Sequence, residues 1–130
     1  MLILTVRTDK PEAEIGLFED SRQLGYETWQ AHRELGRTIH STILGLLSSA
    51  AKDWQDLDGI VAYRGPGSFT GLRIGLTLAN ALADNLPCPI VGSSGDAWAQ
   101  EGVERLLNGH DDRMVMPEYG AEANITTPKK

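Results

Sequence analysis

Residues 64–75 read Arg64-Gly65-Pro66-Gly67-Ser68-Phe69-Thr70-Gly71-Leu72-Arg73-Ile74-Gly75. The segment just before them, Leu57-Asp58-Gly59-Ile60-Val61-Ala62-Tyr63, is an apolar run of the kind buried in a parallel sheet. Just after them, Thr70 to Leu86 carries apolar residues at helical spacing and is stopped by Pro87 and Pro89. A glycine-rich turn thus joins a buried strand to a helix. Glycines at such a junction let backbone amides approach a ligand, and the unpaired N–H groups of a helix start favour an anion. A phosphate site is therefore open to this stretch, although no Lys-Ser/Thr pair follows the last glycine and it is not a Walker loop. The purely structural alternative has Pro66 and the glycines making a tight turn, Ser68 or Thr70 capping the helix and Phe69 filling the core.

Upstream, Leu2–Val6 and Glu14–Phe18 are apolar runs separated by Asp9-Lys10-Pro11-Glu12, which predicts two strands joined by a hairpin turn, with a third strand over Gln23–Trp29. Leu35, Ile39, Ile43, Leu46 and Ala50 then recur at the three-to-four spacing of one helix face. Downstream, Pro89–Val91 reads as a strand, and Asp96 is placed to cap a helix running through Trp98, Val103, Leu106 and Leu107 to the stop at Asn108-Gly109. Met114–Met116 reads as a last short strand. The order of three strands, helix, strand, helix, strand, helix, strand predicts an α/β fold with an antiparallel half joined to a parallel half, as in ribonuclease H-like folds. One domain over residues 1–116 and an extended tail over 117–130 is the expected organisation, with no internal repeat.

The bulk composition narrows the function. With 130 residues, 41% of them hydrophobic and 23% charged, the chain has ordinary globular composition and room for one core. A net charge of −6 argues against a free-standing nucleic-acid binder and for a basic partner surface. The single Cys88 excludes an internal disulfide and a cysteine-rich zinc cluster. The opening Met1–Val6 is too short for a signal peptide or membrane span, so cytoplasm is the expected compartment. His32, His40 and His110 lack paired ligand spacing, and His110-Asp111-Asp112 reads as a solvated loop rather than a metal site.

Both long helices are more apolar than one sheet face demands. On a wheel, Leu72, Ile74, Leu76, Leu78, Ala79, Leu82, Ala83 and Leu86 cover an arc of about 200°, leaving Arg73, Thr77, Asn80 and Asp84 as a polar wedge. Leu35, Ile39, Ile43, Leu44, Leu47 and Ala51 spread over about half of the first helix. Gly71, Gly75 and Ala79 stack at four-residue spacing, a row that would let another backbone come close. Either the spare faces meet a partner, or the two helices bury them against each other.

Gly65-Pro66-Gly67-Ser68-Phe69-Thr70-Gly71-Leu72-Arg73-Ile74-Gly75 resembles the signature of the TsaB (YeaZ) family, the dimerization subunits of the bacterial tRNA threonylcarbamoyladenosine machinery. The similarity extends back through Asp56–Ala62 and forward through Pro89–Ser94. It implies an actin-like ATPase (ASKHA) fold turned scaffold: a non-catalytic subunit that pairs with a TsaD-like enzyme, with a TsaE-like ATPase in the wider complex and tRNA met only indirectly. It also implies that the two helices form a bundle with that partner, through Leu35, Ile39, Ile43, Leu47, Gly71, Leu72, Gly75, Leu76, Ala79 and Ala83, and that the same surface can make a homodimer. No cofactor or metal is implied on this chain; ATP and metal are expected on the partner enzyme. The motif loop would comprise Gly65, Pro66, Gly67, Ser68, Phe69, Thr70, Gly71 and Arg73.

Two features depart from the family pattern. Arg7-Thr8-Asp9 stands where members usually carry an Asp-Thr-Ser turn, and members usually continue into a second lobe, which is expected to be missing. Two other functions compete. A ribonuclease H-like or kinase-like hydrolase would need carboxylates converging on metal ions, one of them on the first strand, where Arg7 stands. Asp9, Asp58 and Asp96 read instead as a turn residue, a surface residue and a helix cap. The other alternative is a phosphate- or nucleotide-binding regulatory module built on Gly65–Gly71.

Overall fold

A computed structural model describes residues 1–67 and 69–118. Ser68, the side chains of His32 and Phe69, and the expected tail beyond residue 118 lie outside the described residues. Five strands form one mixed sheet: β1 (Leu2–Arg7), β2 (Glu12–Glu19), β3 (Arg22–Gln30), β4 (Gly59–Tyr63) and β5 (Ile90–Ser93). Their spatial order is β3-β2-β1-β4-β5, with β1–β2 and β2–β3 antiparallel and β1–β4 and β4–β5 parallel. The helices are α1 (Leu35–Ser49), α2 (Phe69–Asn85) and α3 (Trp98–Leu107). The expected antiparallel and parallel halves are both present.

The strand residues alternate between two layers, as a period of two requires. Leu2, Leu4 and Val6 join Ile39, Ile43 and Leu47 of α1 in one core cluster, whereas Ile3 joins Val103 and Leu106 of α3 in another. Helix α1 packs on β2 and β3, and α2 lies beside it on β1 and β4. On the opposite face α3 packs on β4 and β5, so close to Val61 that a Cβ on Gly102 would lie 2.2 Å from its Cγ1. Asp58, expected as a surface residue, is exposed, yet its carboxylate accepts the Leu2 N–H at 2.8 Å and so ties β1 to the start of β4.

Two expectations fail for identifiable reasons. Asp96 does not cap α3: the N-cap is Ala97, without a side-chain hydrogen bond. Met114–Met116 is not a strand, because the outer edge of β5 is already occupied. The N–H groups of Ile90 and Gly92 donate to the carboxylates of Asp111 and Asp112, the Ile90 carbonyl accepts the Asp112 N–H, and the Gly92 carbonyl accepts from Arg105. Asp111 and Asp112 are therefore edge caps, which covers the backbone row that an edge strand would otherwise expose. Val115 is instead pinned by the Asn80 side-chain amide, which donates to its carbonyl at 3.0 Å and accepts its N–H at 2.9 Å.

Burial alone would raise the Asp112 pKa, but the Gly92 amide and Arg105 outweigh it, so the carboxyl titrates below its ordinary 3.8. A depressed folded-state pKa stabilises above the unfolded value and loses that contribution as pH falls through the folded one. Asp112→Asn should therefore destabilise at neutral pH and narrow its gap to the parent as pH falls below the ordinary 3.8, as read from urea midpoints across an acid series.

Helix α1 closes with Ala51 in the left-handed region, φ 59°, while the Lys52 N–H reaches back to the Leu47 carbonyl and the Ala51 N–H to Ser48. That pair of bonds is a Schellman closure, whose left-handed position favours glycine. Removing a left-handed Cβ relieves about 1–2 kcal/mol, against about 0.4–1 kcal/mol of added unfolded-chain entropy. Ala51→Gly should raise stability by roughly 0.5–1 kcal/mol in urea unfolding.

Candidate functional site: the glycine loop and the α1–α2 layer

The glycine loop sits where the C-terminal ends of β1, β4 and β5 meet. Thr8, 2% exposed, donates its hydroxyl to the Gly71 carbonyl at 2.7 Å, crossing from the end of β1 to the first turn of α2. A Cβ on Gly75 would stand 2.0 Å from that hydroxyl oxygen, and one on Gly67 would stand 2.4 Å from Asp9 Cβ. Gly65, at φ +119°, lies against the Glu118 carbonyl, so both its backbone angle and its surroundings exclude a side chain. The Gly65 carbonyl accepts from Ser94 Oγ at 2.5 Å and the Pro66 carbonyl from the Tyr63 hydroxyl at 3.2 Å. The inner side of the described loop residues is held by the chain itself.

Arg7-Thr8-Asp9 closes the same corner electrostatically. Arg7 Nε donates to Asp9 Oδ1 at 2.7 Å, and the Arg7 guanidinium carbon lies 3.9 Å above the centre of the Tyr63 ring, which in turn meets Trp98 edge-on at 5.9 Å. Burial works against the Arg7 charge, but hydrogen bonding and attraction from Asp9 prevail and raise its pKa. Asp9, expected as a plain turn residue, is a buried ion-pair member. Its carboxylate backs onto Gly67, which weakens this loop as a seat for a phosphate. Among the described residues no group of three or more His, Cys, Asp and Glu could hold a metal.

The residues expected to face a partner are placed differently from that expectation. Leu35, Ile39, Ile43 and Leu47 of α1, and Leu72, Gly75, Leu76, Ala79 and Ala83 of α2, are buried in this chain's own core; only Gly71 is half-exposed. Gly75 and Ala79 of the row turn inward, and what Gly75 admits is the chain's own Thr8 side chain. Part of the spare apolar arc is covered as well: Ile74, Leu78 and Leu82 pack at the edge of the cluster that contains α1. Of the motif loop, Pro66, Thr70 and Arg73 are exposed.

What the α1–α2 layer presents outward includes Gly36, Arg37, His40, Ser41, Leu44, Gly45 and Ser48 on α1, with Thr70, Arg73, Thr77, Ala81 and Asp84 on α2. A Cβ on Gly36 or Gly45 would meet nothing within 4 Å. Between the leading ends of the two helices lies a groove of about 500 Å³ lined mainly by apolar atoms, with Leu35, Ile74 and Ala31 in its wall and Lys10 and Arg33 at its rim. Sequence reasoning missed Gly36 and Gly45 because a helix wheel scores apolar area and passes over glycines. It missed Thr8 and Asn80 because a polar residue's partner across the fold is not visible in the chain.

The sheet order and the two helical layers define an α/β protein of the ribonuclease H-like, actin-like ATPase class. The family model described as TsaD, tRNA N6-adenosine threonylcarbamoyltransferase, matches residues 27–104. The tRNA threonylcarbamoyladenosine biosynthesis protein TsaB of Escherichia coli (strain K12) is 31% identical over 138 aligned positions, which cover 95% of this chain and 57% of that protein. The solved structure of YeaZ from Pseudomonas aeruginosa superposes with a TM-score of 0.66 at 27% identity, over 72% of this chain and 43% of that one. Thermus thermophilus RuvC shares the fold alone, with a TM-score of 0.52 at 15% identity over 85% of this chain and 70% of that one. The chain belongs to the threonylcarbamoyltransferase-related family, on its TsaB (YeaZ) branch. It spans about half the length of the TsaB protein and YeaZ structure that it matches.

The Thr8 contact yields a test of the corner. Gly75→Ala drives a methyl into the Thr8 side chain, adding overpacking to a lost hydrogen bond, and should cost about 2–4 kcal/mol in urea unfolding. Adding Thr8→Ala to that variant should recover part of the loss, since the two changes share one contact.

Proposed function

We propose that the chain is a non-catalytic scaffold subunit that binds a TsaD-like enzyme through the outer face of α1 and α2 and supports threonylcarbamoyladenosine modification of tRNA. The family relationship supports the pathway, since the E. coli relative is named for that biosynthesis. The observation that carries the binding surface is the pair Gly36 and Gly45. Glycine in a helix interior, where Gly45 stands, costs roughly 1 kcal/mol relative to alanine, with less lost at Gly36 in the first turn, and neither position has a left-handed backbone or an internal neighbour to require it. A close approach from outside the chain supplies the missing reason. The half-exposed Ile74 and Leu78, with Leu44 at 39% exposure, give that approach an apolar border.

On this reading the buried residues expected to touch the partner act one layer back, by setting the position and spacing of the two helices. A homodimer through the same layer is the competing occupant of the face. ATP and metal belong to the partner enzyme, a TsaE-like ATPase joins the wider complex, and the tRNA is met through the partner. The nucleotide alternative at Gly65–Gly71 is disfavoured by the Asp9 carboxylate behind Gly67 and by the internal contacts that use the glycines.

Gly45→Ala should stabilise the isolated chain by up to about 1 kcal/mol, whereas Gly45→Arg should leave its fold intact and weaken association with the TsaD-like protein of the same organism at least about tenfold, as read by light scattering and calorimetric titration. Unchanged association for Gly45→Arg would overturn this surface.

A further inference from the structure

On the α1–α2 face the groove is rimmed by Lys10 and Arg33 and α2 exposes one acidic side chain before its last residue, Asp84; most of the chain's acidity lies elsewhere. It finds a place on the opposite side of the sheet. Helix α3 covers β4 and β5 there, and beside it, toward the β2–β3 hairpin, two depressions of about 400 and about 150 Å³ share Phe18 and Gln100 and form one trough. The floor of the larger depression is apolar, with Phe18 and Val103 buried beneath it and Leu107 42% exposed beside it, whereas Thr5, Gln23 and Tyr26 make the smaller one mainly polar. The rim of the trough is acidic: Glu101 and Glu104 line the larger depression, and Glu14 and Asp96 the smaller.

The nearby cations are engaged elsewhere, Arg22 of β3 with Glu19. Arg105, the only cation of α3, turns away to the Gly92 carbonyl and Asp112. Arg7, opposite Glu14 in the sheet register, is paired with Asp9. Among the described residues Asp96, Glu101 and Glu104 have no ion-pair partner, while Glu14 accepts only the Tyr26 hydroxyl, at 2.8 Å.

We propose that this trough docks a basic polypeptide segment of another protein. A Lys or Arg side chain joins a long aliphatic stem to a cationic head, and the trough offers the matching pair: an apolar floor at Phe18 and Leu107 for the stem, and the Glu101 and Glu104 carboxylates for the head. An acidic segment or a phosphate backbone meets like charge along the same rim. The site lies on the face opposite α1 and α2, so it stands or falls independently of the scaffold surface.

The probe is a labelled eight-residue peptide alternating lysine with leucine and serine, titrated into the full chain at moderate salt and followed by fluorescence anisotropy. Saturable binding is expected, weakened about tenfold by Glu101→Gln with Glu104→Gln and several-fold by Leu107→Ser. Asp84→Asn with Glu27→Gln, which removes the same charge from exposed residues that do not line the trough, should leave binding within about twofold. Circular dichroism checks that each variant remains folded. Equal weakening by the two charge pairs, no effect of Leu107→Ser, or no saturable binding would each overturn the trough as a docking site.

Discussion

The contact between the end of β1 and the first turns of α2 is the constraint on which the rest of the arrangement depends. Thr8 has no spare room: its hydroxyl is bonded to the Gly71 carbonyl, and Gly75 leaves no space for even one methyl. A helix pressed this closely against a strand end cannot rotate or slide without breaking that part-buried hydrogen bond. The rotation of α2 then decides the rest. It sends Leu72, Leu76, Ala79 and Ala83 into the core and turns Thr70, Thr77 and Ala81 outward, beside the outer residues of α1.

The same corner shows why a glycine-rich strand-to-helix turn is ambiguous in a sequence. A phosphate cradle and a tight internal junction both need residues without side chains. What separates them is the group opposite the glycines, and here those groups are the Thr8 hydroxyl, the Asp9 carboxylate and a backbone carbonyl. All three come from distant parts of the chain, 63 residues away in the case of Thr8 and Gly71.

The elements with strong periodicity or a clear stop were legible. The apolar run ending at Tyr63, the helix closed by Pro87 and the hairpin between Arg7 and Glu12 each follow from local rules. Misreadings came where a tertiary partner outranked local preference. Met114–Met116 alternates as a strand should, with Val115 buried between exposed methionines, but Asn80 and the capped edge of β5 take the hydrogen bonds that would have made it one. The wheel placed the two long helices and misjudged their outer face. It measures apolar area, and much of that area is used between α1, α2 and the sheet.

A steric test of the glycines separates inner from outer faces better than hydrophobicity does here. Gly67, Gly75 and Gly102 each have an atom of the chain where a Cβ would stand, whereas Gly95 and Gly109 have left-handed backbones. These five are accounted for by the fold. Gly36 and Gly45 are accounted for by neither, and both lie on the exposed side of a helix whose other side is core. A helix that gives up side-chain contacts and propensity in this way has a backbone shaped for a close neighbour. The α3 side presents the opposite design, with an apolar floor beside Glu101 and Glu104, which have no ion-pair partner among the described residues. On the two proposed readings, close packing suits a fixed helical partner and charge with an apolar floor suits an extended basic one, so the two faces of a single sheet would serve different ligands without competition.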